Sequence, residues 1–285
     1  MRDEQDEKRT FRILLIQGVC AGGGFELNSV RLVLPYFYTA LGAPLVFAGL
    51  IVPVFQATKL VAQLFIAPAV QAARRNKGFV ACSLAGACLS LAVICLLVGV
   101  QPSIYMTIVF LAMVAVLSIS AGVSSLAFQD MIGHVLPEDG RRRLLFAQSG
   151  LVGVSAAVIA LLTQQLIPAA TARQAHTELM WAGVILLALA AALILLVREP
   201  EKLTDAATHT AEAAGSPRRR AVRNLKASFG KALGQSWFRR FLTARALLLS
   251  VELAMPFYAI HAATLHRGVK TGLSTFLIAS SLGLA

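Results

Sequence analysis

Residues 79–100 read FVACSLAGACLSLAVICLLVGV, and residues 104–128 read IYMTIVFLAMVAVLSISAGVSSLAF. Neither stretch holds a charged residue. Each has the length, about 20 residues, that an α-helix needs to cross the hydrocarbon core of a bilayer. Inside lipid every backbone N–H and C=O must be bonded within the chain, so such stretches are helices. Working outward, five more stretches qualify, near 12–38, 44–70, 144–167, 177–197 and 238–262, and an eighth begins near 271. The expected fold class is all-α and polytopic: a six-helix transmembrane bundle over 1–197, a basic cytoplasmic linker over 198–236, and the start of a second bundle over 237–285.

The composition agrees. Of 285 residues, 57% are apolar and 14% charged, with a mean hydropathy of +0.72. Soluble domains run near 45–50% apolar and about 25% charged. A soluble enzyme is therefore excluded. The formal charge is +12, which in a soluble protein would suggest nucleic acid. No soluble domain offers a basic face with interleaved aromatics, so no nucleic-acid partner is expected. Cys20, Cys82, Cys88 and Cys95 all fall in apolar runs without metal-ligand spacing, and read as free thiols. The first ten residues mix acids and bases, unlike a signal peptide, so the first span is expected to be retained.

The Lys and Arg residues set the orientation. Arg2, Lys8, Arg9 and Arg12 precede span 1. Arg74, Arg75 and Lys77 follow span 2, Arg141, Arg142 and Arg143 follow span 4, and ten more lie between Arg198 and Arg240. The opposite loops hold only Arg173, Arg267 and Lys270. The positive-inside rule places the N-terminus in the cytoplasm of a bacterial cell. Within the linker, Val222, Leu225, Phe229 and Leu233 recur at helical spacing among bases. That pattern suits a basic amphipathic helix on anionic lipid headgroups, and equally a solvated charged linker.

Six spans, a long basic linker and further spans resemble the major facilitator superfamily. After span 2, Ala67-Pro-Ala-Val-Gln71-Ala-Ala-Arg74-Arg75-Asn76-Lys77 is similar to a degraded copy of the loop 2–3 motif of that family, with Gln71 in place of its Asp. After span 4, Pro137-Glu138-Asp139-Gly140-Arg141-Arg142-Arg143 resembles the segment many members carry before span 5. Span 7, from Trp237 through Pro256-Phe257-Tyr258, is also similar to bacterial members. Spans 1 and 7 echo each other around Glu26 and Glu252, as parallel repeats would. The resemblance implies a secondary active transporter that moves a small solute across the inner membrane by alternating access, with protons as a coupling ion. Ser118 stands near the place of the span 4 Arg of drug/proton antiporters, and span 5 lacks their Gly-Pro pair, which disfavours that branch. The family normally has twelve spans. The chain is thus expected to be a piece lacking about 120–140 residues. The alternative is a non-transporting truncated remnant, or a half-bundle that assembles with another membrane chain.

Ionisable groups inside a span are costly, roughly 2.5–3.5 kcal/mol at the centre, and mark function by default. Glu26, Lys59 and Glu252 lie near the middle of spans 1, 2 and 7. Glu26 and Lys59 are at similar depth, so spans 1 and 2 are expected to adjoin and pair them, either statically or as a pair that the cycle breaks. Gln56, Lys59 and Gln63 share one helical face, which should line a cavity or pack on another span. Gln17, Gly24, Asn28 and Arg31 form a face of span 1, with Glu26 about 160° from Asn28. Both faces can serve only if span 1 is surrounded or breaks at Gly22-Gly23-Gly24; these glycines permit a break or a close crossing, Gly18 and Gly22 form a small-xxx-small pair, and close packing is the commoner use. Pro35-Tyr36-Phe37-Tyr38 reads as an interfacial aromatic belt. Glu26, Asn28, Gln56, Lys59, Gln63 and Glu252 are the candidate substrate and coupling residues. Arg74, Arg75, Asp130 and Arg141 are candidates for a cytoplasmic gate, with Asp130 facing Arg74 or Arg75. No nucleophile elbow, His-Glu-x-x-His helix or acidic metal cluster occurs, so no enzyme, cofactor or metal is expected. Span 7 has no lysine for a retinal Schiff base.

Overall fold

The computed structural model describes residues 2–97, 100–166, 172–200 and 234–244, together with Leu247, Ala254, Phe257 and His261. The elements among them are helices: α1 (Arg2–Leu27), α2 (Val33–Ala40), α3 (Leu45–Ala48), α4 (Ile51–Ala72), α5 (Lys77–Leu96), α6 (Ile104–Val135), α7 (Glu138–Leu166) and α8 (Ala172–Leu195). The chain divides into two compact units, Met1–Lys202 with Met255–Ala285, and Leu203–Ala254. All eight helices belong to the first. Within the second, residues 236–244 are helical. Most of the linker, most of span 7 and all of span 8 lie outside the described residues.

Five stretches among the described residues are long and apolar enough to cross a membrane: Leu45–Ala72, Lys77–Leu96, Ile104–Val135, Glu138–Leu162 and His176–Leu195. They correspond to the expected spans 2 to 6. Helix α6 is longer than expected. Its 32 residues make about 48 Å at 1.5 Å per residue, more than the hydrocarbon core requires. It starts where Ser103 Oγ accepts from Met106 N at 3.2 Å, an N-cap that satisfies an otherwise unpaired helix-start amide.

Span 1 departs from expectation. It breaks, but not at its glycines. Gly22, Gly23 and Gly24 remain helical, and residues 28–32 form the interruption between α1 and α2. The physical reason lies at Asn28, whose side-chain Nδ2 donates to Gly24 O at 3.0 Å and to Met180 O of α8 at 3.4 Å. An asparagine side chain that takes the carbonyl four residues back competes with the helix's own ladder. Helix α2 then restarts with Val33 N and Leu34 N both donating to Ser29 O, at 2.8 and 3.0 Å. It ends at Gly42, whose φ of 81° is the left-handed conformation that glycine adopts without strain.

The expected aromatic belt is corrected as well. Pro35, Phe37 and Tyr38 are buried. Tyr38 hydroxyl and Thr107 Oγ1 share a hydrogen bond at 2.8 Å, and the Tyr38 ring lies 4.9 Å from that of Phe110. Tyr36 stacks on His176 at 4.6 Å. Phe37 and Tyr38 thus pack within the bundle core, with Tyr36 against it, instead of facing outward.

The packing has an internal symmetry. Helix α1 packs on α7 and α8, α6 packs on α4 and α5, and α5 packs on α8. Exchanging the first three spans for the second three maps this pattern onto itself. The close approaches repeat too. Gly18 and Gly22 of α1 lie under Gln148 and Val152 of α7. Ser118 of α6 donates to Phe55 O of α4, and Gly122 lies under Lys59 and Gln63. Both seams use a small-xxx-small pair on one helix, the spacing that lets backbones approach in a membrane.

Candidate functional site

Glu26 stands half-buried in the last turn of α1. It continues the Gly18–Gly22 stripe, four residues further on, and that stripe faces α7. The turn that follows brings the Arg31 charge to bear on the Glu26 carboxyl. Spans 1 and 2 meet through α2 and α3, but not along the helices that carry Glu26 and Lys59. Helices α1 and α4 are not among the closely packing pairs; α1 sits on α7 and α8, and α4 on α6. The reason is steric. Glycines open α1 toward α7 and α8, while Gly122 opens α6 toward α4.

Asn28 lies on the other side of α1, 1% exposed. Its Nδ2 bonds tie the broken end of α1 to α8, and its Oδ1 is buried without a hydrogen-bond partner. The pocket for its amide exists because residue 183 is glycine. A Cβ there would collide with Asn28 Nδ2 and lie 3.0 Å from Gly24 O. In return, a Cβ on Gly24 would lie 2.9 Å from Gly183 O. Gln17, on the same face, is 2% exposed and its Oε1 also has no hydrogen-bond partner.

Gln56, Lys59 and Gln63 are half-buried on α4. A Cβ on Gly122 would lie 3.1 Å from Lys59 O, 3.2 Å from Lys59 Cγ and 3.4 Å from Gln63 Cγ. This stripe therefore rests on α6, while Leu60, Val61, Leu64 and Phe65 are the exposed large apolar residues of α4. Ser118 is fully buried and spends its hydroxyl on Phe55 O. Glu252 lies outside the described residues.

The gate candidates gather at one end of the bundle. Arg74 and Arg75 are exposed, and Asp130 and Arg141 half-buried. Asp130 accepts from the side-chain amide of Asn76, the residue after Arg75. Arg141 lies beside Gly133, its Nη1 3.7 Å from where a Cβ would stand, and its Nε is buried without a hydrogen-bond partner. Arg142 instead pairs with Glu138 at 2.6 Å on the open surface.

Two residues of this end escaped the sequence reading. Asn76 is the N-cap of α5, and Glu199 bonds to the start of that helix. An Asn directly before an apolar run is a start signal. A lone Glu directly after span 6 gave no hint of a partner 123 positions away. Gln148 was also missed. Its Nε2 donates to Leu14 O at 2.9 Å, a polar tie between α7 and α1.

No curated protein and no solved structure matches the chain. The family model of the Major Facilitator Superfamily matches residues 14–285. That match spans nearly the whole chain, including every helix described above but the first residues of α1. The chain is a multi-pass membrane protein and a transporter, and it belongs to the major facilitator superfamily.

Proposed function

We propose that this transporter is a secondary active carrier that moves a small solute across the bacterial inner membrane by alternating access, with protons as the coupling ion. The observation that carries this reading is Glu26, a half-buried carboxyl group in the last helical turn before span 1 breaks. An ionisable side chain is kept inside a span only for a reason, and transporters put substrate and coupling-ion sites at discontinuous helices near the midplane. Protonation of Glu26 removes its charge beside Arg31 and alters the balance at the break. Glu252 is the corresponding candidate in span 7.

In this reading residues 1–197 are the first moving bundle, 198–236 the cytoplasmic linker and 237–285 the start of the second bundle. Gln56, Lys59 and Gln63 supply polar groups on the solute path, and Asn28 holds the break open. Arg74, Arg75, Asp130 and Arg141 belong to the cytoplasmic gate. The basic end faces the cytoplasm by the positive-inside rule, and the linker bases lie on anionic headgroups.

The test uses proteoliposomes, an imposed proton gradient and a panel of labelled sugars, amino acids and organic cations. The wild type should accumulate at least one of them. Glu26→Gln should equilibrate the same solute without accumulating it. Accumulation by Glu26→Gln at the wild-type level would remove the coupling role.

A further inference from the structure

Glu199 follows the end of α8 by four residues and yet is only 6% exposed. Its Oε1 accepts from Asn76 N at 2.7 Å, and its Oε2 accepts from Asn76 N at 2.9 Å and Lys77 N at 2.8 Å. These are the amides of the N-cap and first residue of α5, a helix whose N-cap side chain makes no capping bond of its own. A carboxylate here meets the positive end of the helix dipole and makes charge-assisted bonds, about twice as strong as neutral ones. Asn76 in turn gives its side-chain amide to Asp130 near the end of α6. The start of α5, the end of α6 and the end of α8 thus meet on one asparagine.

The position along the chain matters. Arg74 and Arg75 come directly before Asn76. Glu199 is followed by Pro200, and after Lys202 the chain passes from the first unit to the second. We propose that Glu199 is a latch that fastens the point where the chain leaves the first unit to the start of α5 and, through Asn76, to α6. A displacement of the following segment is then delivered to the α5–α6–α8 core instead of being absorbed in a slack loop. The latch also fixes where the Arg74 and Arg75 backbone stands. Its role in coupling rests on the transporter reading; the contact itself does not.

The experiment is amide hydrogen exchange on the full chain in lipid nanodiscs, read in peptides covering 74–80 and 128–135. In the wild type, Asn76 and Lys77 should exchange slowly. Glu199→Ala should speed them about tenfold or more, since buried bonds to a charged acceptor are lost. It should also speed the end of α6 by a smaller factor. Glu199→Gln, which still accepts but carries no charge, should fall between, and covers the case in which the alanine variant does not insert. Added acetate should partly restore slow exchange in Glu199→Ala. Asn76→Ala cuts the tie to Asp130 but keeps both backbone amides on Glu199, so positions 76 and 77 should stay slow. Unchanged exchange at 76 and 77 in Glu199→Ala, or an unchanged α6 end, overturns the latch. Because exchange is read without any solute, a chain that shows these changes and accumulates no solute would count against the proton-coupled carrier reading and leave the latch standing.

Discussion

Asn28, the residue that follows α1, occupies the space that Gly183 of α8 leaves by having no side chain. The two residues are 155 positions apart, and neither makes sense alone. The asparagine stops α1 by taking Gly24 O, and it reaches α8 only because the backbone at 183 is bare. The contact sets the break in span 1, which follows Glu26 and contains Arg31.

Gly183→Ala should therefore cost about 1–3 kcal/mol of bundle stability, the usual range for overpacking a filled site. Asn28→Ala should cost less, about 0.6–1.7 kcal/mol, since intramembrane hydrogen bonds are individually modest and an unsatisfied Oδ1 leaves with the side chain. The double variant should be less damaged than the sum, because the added methyl group then enters the vacated space. Reversible unfolding in mixed micelles measures all three. Strict additivity would mean that the two residues do not share this space.

Gly122→Val should loosen the α4–α6 seam. Its side chain must push on Lys59 O at 3.1 Å and on Gln63, and backbone yields less readily than a flexible side-chain end. A loss of about 1–3 kcal/mol is expected, with faster hydrogen exchange in α4 and α6 and little change in α1. Gly22→Val, at the matching place on the other seam, should affect α1 and α7 instead. If both variants loosen all four helices alike, the two seams are not independent.

Tyr38→Phe tests the inward turn of α2. It removes the hydroxyl bonded to Thr107 at 2.8 Å and leaves Thr107 Oγ1 without that partner. A loss of about 0.5–1.5 kcal/mol is expected. If Tyr38 lay in a headgroup belt, the same change would be neutral.

Arg142→Ala should be nearly silent. Its pair with Glu138 is 68% exposed on both sides, and such pairs contribute under about 0.5 kcal/mol. An effect on thermal stability above about 1 kcal/mol would mean that Arg142 has a further role at the gate.

The spans were legible because lipid imposes one rule on every residue of a crossing helix, so length and apolarity suffice. The run 79–100 and helix α5 (Lys77–Leu96) agree to within a few residues for that reason. The break in span 1 was not legible. Three consecutive glycines permit either a break or a close crossing, and the choice falls to α8, far along the chain, where Gly183 receives Asn28. The aromatic run 35–38 misled for a related cause. Pro-Tyr-Phe-Tyr suits an interface, but the interruption before it turns α2 into the core. At the gate, the sequence displayed the basic residues and Asp130. It could not show that Asn76 would take Asp130, nor that Glu199 would cap α5, because both partnerships depend on which helix ends meet.

The central claim is that this chain moves a solute together with protons through Glu26. The most direct measurement is solute-elicited proton movement in lightly buffered vesicles containing the protein, for a solute the uptake panel identifies. Adding that solute should alkalinise the outer medium with wild-type protein and leave it unchanged with Glu26→Gln. Solute entry without any proton movement in the wild type, or an undiminished pH change with Glu26→Gln, would contradict the claim.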